Sequence, residues 1–277
     1  RPMAGNALTV LARKELRDAL RNRWFLADAA ALLVLSTALS LLVYLTGATS
    51  PVSGFGRTAA SLVNLMLLLV PLIGLTLGGL ALAGDRERGA LEFWLTQPIS
   101  TGTYFAAKAI GLGGALAAAV SLGFGASAVF LLLVGATDPL AYLVLAGLTV
   151  LLAWTSLALG LLLSSRCART STAVSLAVGL WLFLVLLGDL GLMGTALAVR
   201  LSPGWLLAFA FGNPVEAYRI AALRLLAGSL ELLGPAGLYA DERFGPALPF
   251  LLTVLLLLWT LVSTSVAYAL LRREVLR

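Results

Sequence analysis

GDRERGALEFWLTQPIS, residues 84–100, sets five charged side chains (Asp85, Arg86, Glu87, Arg88 and Glu92), a Trp and a Pro between apolar runs at 60–83 and 104–134. A helix needs about 20 apolar residues to cross the hydrocarbon core of a bilayer, and both flanking runs meet that length. The charges therefore mark a place where the chain leaves the lipid, and the fold is that of a membrane protein. Composition agrees: the chain is 60% hydrophobic and 12% charged, with a mean hydropathy of +1.00. A soluble domain carries about 25% charged residues.

Six runs suit membrane-spanning helices, near 26–46, 60–83, 104–134, 140–163, 171–194 and 247–270. The third is overlong and accommodates tilt. Basic residues set the orientation. The N-terminus, the 84–104 loop, the 164–170 loop and the C-terminus share one side and carry fourteen of the nineteen Lys and Arg; Arg57, Arg200, Arg219, Arg224 and Arg243 lie on the other. Both termini and the quoted stretch are expected on the cytoplasmic side. The net charge of +6 is spread beside spans in this way, which argues against nucleic-acid binding. A basic amphipathic segment precedes the first span, unlike a cleaved signal peptide.

In that segment, residues 7–24, Leu8, Leu11, Leu16, Leu20 and Trp24 recur on one helical face while Arg13, Lys14, Arg17 and Arg21 occupy the other. This fits a helix in the headgroup plane or a basic flank that orients the first span. The longest polar connection, 195–246, lies on the outer side. There Asn213 suits a helix cap and Pro214 a first turn, and Ile220, Leu223, Leu225 and Leu226 make an apolar stripe. The expected product is a short outer helix followed by a Gly/Pro-rich segment.

Enzyme chemistry is hard to place in this chain. No GxxxxGK[ST] loop cradles a nucleotide phosphate. No His is present, which removes Ser-His-Asp triads and His-based metal sites, and the single Cys167 cannot form an internal disulfide. The three Met are scattered and suggest no soft-metal relay. Asp189 sits in an apolar span and either lines a pathway or snorkels to water near the outer end of its helix. Asn64 reads as an interhelical hydrogen-bonding residue. Gly74, Gly78 and Gly79, and Gly111, Gly113 and Gly114, mark positions of close helix approach.

In the opening stretch, Asp85 reads as a helix cap, Leu91, Trp94 and Leu95 share a face, Pro98 ends the helix, and Ser100 and Thr103 cap the next. The result is a short amphipathic helix at the cytoplasmic surface. It either docks a partner through apolar anchors and a charged rim, or touches lipid alone.

ARKELRDALRNRW (12–24), the 84–100 stretch, GLWLFLVLLGDL (179–190) and FGNPVEAYRI (211–220) occur in the order found in NosY-type permeases, and the chain resembles that family over nearly its whole length. These are ABC-2-type membrane subunits of the transporter that helps mature the copper centres of nitrous oxide reductase. The resemblance implies a single all-α integral membrane domain over 1–277 with six transmembrane helices, an N-terminal interfacial elbow helix at 7–24 and a cytoplasmic coupling helix at 85–97, as in type V exporters. It implies a non-catalytic homodimer in the bacterial inner membrane that holds no cofactor. ATP and Mg²⁺ would bind a separate NosF-like cytoplasmic ATPase. Asp85, Arg86, Glu87, Arg88, Gly89, Glu92 and Trp94 would couple to that ATPase, with the 164–170 loop as a smaller contact. Asn213, Pro214, Glu216, Tyr218 and Arg219 would meet a NosD-like periplasmic β-helical protein. Without a chain of copper ligands in the sequence, mechanical work on the outer partner is favoured over conduction of the ion. An exporter of a lipid, drug, peptide or sulfur species is the alternative.

Overall fold

One long helix organises the molecule. The computed structural model describes residues 2–45, 51–97, 99–133, 139–197, 211–227 and 243–275. In chain order the helices are α1 (Pro2–Arg21), α2 (Arg23–Leu45), α3 (Pro51–Glu87), α4 (Ala90–Thr96), α5 (Thr101–Leu133), α6 (Pro139–Ser164), α7 (Thr170–Leu197), α8 (Pro214–Ala227) and α9 (Leu248–Val275). No strand occurs among the described residues. The 37 residues of α3 correspond to about 55 Å at the helical rise, enough to cross a bilayer and emerge from it. It packs against α6 above all, and also against α2, α7 and α8, while α1 and α2 lie on α5 and α9 lies on α6 and α8.

Among the described residues, five helical stretches are long and apolar enough to span: Arg23–Leu42, Ala60–Glu87, Thr101–Phe130, Pro139–Ser164 and Gly245–Val275. α7 is apolar as well over the part whose side chains are described, Thr170–Leu186. The chain is a multi-pass, all-helical membrane protein.

The α3–α6 contact is the tightest in the bundle. The two backbones cross at Gly78 and Gly160; a Cβ on Gly78 would stand 2.4 Å from the Leu157 carbonyl oxygen, and one on Gly160 2.5 Å from that of Leu75. Gly74 meets Ser156 in the same way, and Gly79 faces Ala173 and Ala177 of α7. Gly111 of α5 receives α1 against Ala12 and Glu15. In lipid, where burying apolar surface contributes little, such close contact is a main source of helix association. Below the crossing, Ser164 fastens α6 to α3: its Oγ donates to the Gly79 carbonyl at 2.6 Å and accepts from the amides of Leu82 and Ala83 at 3.0 and 2.8 Å.

Several expectations are corrected here. Trp24 is not part of the α1 face: the helix ends at Arg21, Asn22 accepts from the Trp24 amide at 3.0 Å to start α2, and Trp24 is 83% exposed. Asn64 is exposed on α3, with no side-chain hydrogen bond to another described helix. The expected short helix forms as α8, capped by Asn213 Oδ1 on the Val215 amide, but it is enclosed by α3, α6, α7 and α9. Its small residues Ala217, Ala221 and Ala222 let neighbours approach from several sides, and Tyr218 is fully buried.

Candidate functional site: a charged hub at one end of the bundle

Successive residues on a helix point about 100° apart, so the three charged residues in the last turn of α3, and Arg88 just after it, radiate toward different neighbours. Asp85 points to α5. It accepts from the Tyr104 hydroxyl at 2.5 Å and pairs with Lys108 at 2.8 Å, and Lys108 also reaches Glu15 of α1 at 3.0 Å. All three charges are largely shielded, with side chains 9%, 5% and 13% exposed for Asp85, Lys108 and Glu15. Arg86 points to α6 and α9. Its guanidinium donates to the carbonyls of Ser164 (2.7 Å), Cys167 (2.8 Å) and Ser165 (3.1 Å) and grips both Glu274 carboxylate oxygens. It thus satisfies carbonyls that the end of α6 would otherwise leave unpaired, and its positive charge suits a helix C-terminus. Glu87 points to α7, where it accepts from the Thr170 amide at 3.0 Å and from the Thr170 hydroxyl. Arg88 folds back on Asp85 at 3.1 Å and is otherwise exposed.

Gly89 then turns the chain. Its φ of 68° lies in the left-handed region, which a side chain disfavours, and α4 starts directly after it. The resulting break corrects the expected continuous 85–97 helix. Asp85 and Arg86 belong to α3, and Asp85 caps nothing. Asp85 is buried, and Arg86 is bonded to α6 and α9. Trp94 is half-buried against the bundle, with Lys14 of α1 stacked 5.4 Å over its ring. Lys14 also bridges Asp18 and Glu15, each at 3.2 Å. Partial burial opposes its ammonium charge, but Glu15 and Asp18 outweigh that and raise its pKa above the ordinary lysine value. An unbroken run of alternating charges, Asp18, Lys14, Glu15, Lys108, Asp85 and Arg88, thereby joins α1, α5 and α3. Ser100 caps α5 as expected, its Oγ accepting from the Thr103 amide at 3.1 Å.

Among the described residues, Glu87, Arg88, Gly89, Phe93 and Thr96 are exposed at this tip, Phe93 by 60%. Phe93 was missed by sequence reasoning, which took Trp94 as the anchor. The side chains of Glu92 and Leu95 lie outside the described residues, as does that of Asp189 on α7. Along the first half of α8, Asn213 donates to the Leu184 carbonyl at 2.6 Å, Tyr218 shares a 2.8 Å hydrogen bond with Thr149, and Arg219 pairs with Glu216 at 3.3 Å. Asn213, Pro214, Glu216 and Tyr218 are all buried by the chain itself. The expected outer-partner set thus lies within the packing of the described chain rather than on its exposed surface.

The hub therefore draws α1, α4, the 165–169 turn and the end of α9 to one end of the bundle, with an exposed tip beyond the spans. The model of the family described as ABC-2 family transporter protein matches residues 9–276. The chain belongs to the ABC-2 family of transporter proteins. Among proteins of that kind it is similar to the probable ABC transporter permease protein NosY of Stutzerimonas stutzeri, 36% identical over 285 residues that cover 97% of this chain and 99% of that protein. It is also similar to the protein of that description in Pseudomonas aeruginosa, 34% identical over 275 residues, 95% of this chain and 97% of the other.

In this ABC-2 protein, Arg86 makes a test of the hub that charge alone does not meet. Lys supplies three donors from one atom and cannot reproduce the planar fork. Arg86→Lys is expected to lower the unfolding midpoint in detergent nearly as much as Arg86→Ala. Full recovery by Lys would show that positive charge, not the fork, holds α6 to α9.

Proposed function

We propose that the chain is the membrane subunit of an ABC transporter acting in copper-site maturation of nitrous oxide reductase, working as a homodimer with a separate NosF-like ATPase. The observation that carries this reading is the exposed tip of Glu87, Arg88, Gly89 and Phe93, seated on a hub that grips five other helices. An aromatic anchor with a charged rim is the composition of a docking surface. The tip faces the cytoplasm in this reading, as the basic residues require. ATP and Mg²⁺ bind the partner, and this subunit carries no catalytic group.

A push on α4 has two ways into the bundle. Gly89 passes it to α3, and Trp94 passes it through Lys14 to α1. Since α3 packs against α8, the load reaches the one helix described wholly within the 195–246 region, which we assign to a NosD-like periplasmic β-helical partner. Within that assignment Asn213, Pro214, Glu216, Tyr218 and Arg219 hold α8 to the bundle rather than touch the partner. The sequence has no His, and Cys167 is buried beside the hub, so the chain offers no relay of copper ligands. Mechanical transmission suits this chain better than ion conduction.

Phe93→Asp is expected to reduce co-purification of the ATPase about tenfold or more, with insertion and unfolding midpoint unchanged, since losing a buried aromatic anchor costs about 2 kcal/mol or more. Charge reversal at Arg88 is expected to act in the same direction. Undiminished co-purification with both changes in place would overturn the docking assignment.

A further inference from the structure

A second feature of the same end does not depend on the functional reading. A cavity of about 440 Å³ opens between the 165–168 turn and the end of α9, lined by Arg86, Ser165, Arg166, Cys167, Ala168, Leu270, Arg273 and Glu274. Its charge is lopsided, with three guanidinium groups facing one carboxylate. Arg86 and Glu274 neutralise each other at its floor. Arg166 and Arg273 are exposed and pair with no described residue, so both present guanidinium groups at the cavity. Of the remaining lining, Ala168 and Leu270 are apolar beside Ser165 and Cys167, and Leu270 continues a stripe with Val266 and Val262, which are 43% and 57% exposed. On a helix, Val262, Val266, Leu270 and Arg273 fall on one side. An acyl chain can lie along that stripe while its headgroup sits between the arginines.

We propose that this cavity binds a phosphate-bearing anion, held by Arg166 and Arg273. Planar forks match phosphate oxygens two at a time, and this is where Arg outperforms Lys. The site sits where anionic lipid headgroups are available and where basic residues attract them. The two sources of that phosphate, a lipid and the free ion, are separable by experiment.

The full chain, purified in a neutral detergent, is titrated with phosphatidylglycerol, phosphatidylcholine and inorganic phosphate, with binding followed by native mass spectrometry and by the unfolding midpoint. Phosphatidylglycerol is expected to bind and raise the midpoint, and phosphatidylcholine to do neither. The double variant Arg166→Gln/Arg273→Gln is expected to lose about tenfold or more in affinity, and Arg21→Gln/Arg23→Gln, which removes two exposed arginines elsewhere, to lose none. Competition by inorganic phosphate at comparable concentration identifies the free ion as the ligand; its failure to compete identifies the lipid. Equal binding of the two lipids, or equal losses in the two double variants, overturns the site. So does a loss of ATPase association in Arg166→Gln/Arg273→Gln with lipid and phosphate binding unchanged, which makes the arginines a protein contact.

Discussion

Gly160→Leu is expected to abolish the folded protein, whereas Gly147→Leu in the same helix leaves it intact. The two glycines differ only in what surrounds them. A Cβ at Gly160 meets the Leu75 carbonyl oxygen at 2.5 Å, the Gly78 Cα at 2.9 Å and the Gly79 amide nitrogen at 3.0 Å, whereas one at Gly147 meets nothing within 4 Å. The obstacles at Gly160 are backbone atoms, which cannot rotate aside as side chains do. Overpacking a site with some give costs about 1–3 kcal/mol, and here α3 and α6 must part before any Cβ fits. Parting them also breaks the Ser164 bonds to α3 and the Arg86 bonds to the end of α6. The chain's one Cys reports on this directly, because Cys167 is 6% exposed in the folded state. Gly160→Leu extracted in mild detergent is expected to alkylate as fast as the SDS-denatured chain, while Gly147→Leu keeps the slow wild-type rate. Slow alkylation in Gly160→Leu would mean that the crossing has more room than the structure shows.

The contrast between those two glycines bears on how much of this protein is legible in one dimension. Apolar runs of span length and the side on which arginines gather are local properties, and from them the all-helical membrane fold and the common end of the four basic segments follow. The small residues at 74, 78 and 79 also announce close contact. The identity of the partner helix is not local. Asp85 finds Tyr104 19 residues away, and Arg86 finds Glu274 188 residues away. Reading 85–97 as one amphipathic helix failed because Asp85 and Arg86 bond to other helices and Gly89 adopts a positive φ. A clue was present in Lys108, which lies one turn beyond Tyr104 inside an apolar run; counted only toward topology, it is a buried partner of Asp85. Likewise AYRIAALR (217–224) was read for its leucine stripe, although its alanines prepare the close packing that buries α8.

Lys108→Met is expected to cost more than Asp85→Asn, and the two together less than their sum. With Lys108 gone, Asp85 and Glu15 face each other's charge in a shielded site, each keeping only a partial partner: Arg88 and Tyr104 for Asp85, Lys14 for Glu15. Leaving a buried charge uncompensated costs about 3–5 kcal/mol. With Asp85 neutral, Lys108 still holds Glu15, and an amide still accepts from Tyr104, so the loss is nearer the about 1–3 kcal/mol of an unsatisfied polar group. In the double variant the lone Asp85 charge is absent when Lys108 is absent, and part of the first penalty disappears. Thermal unfolding of the four proteins in lipid nanodiscs closes the cycle. Screening distinguishes this cluster from a surface pair, because added salt weakens exposed ion pairs and acts little on shielded ones. The coupling is therefore expected to persist in 0.5 M salt. Strictly additive losses, or a coupling that salt removes, would mean that Asp85 and Lys108 do not share one buried network, and the α5 arm of the hub would have to be attributed to packing alone.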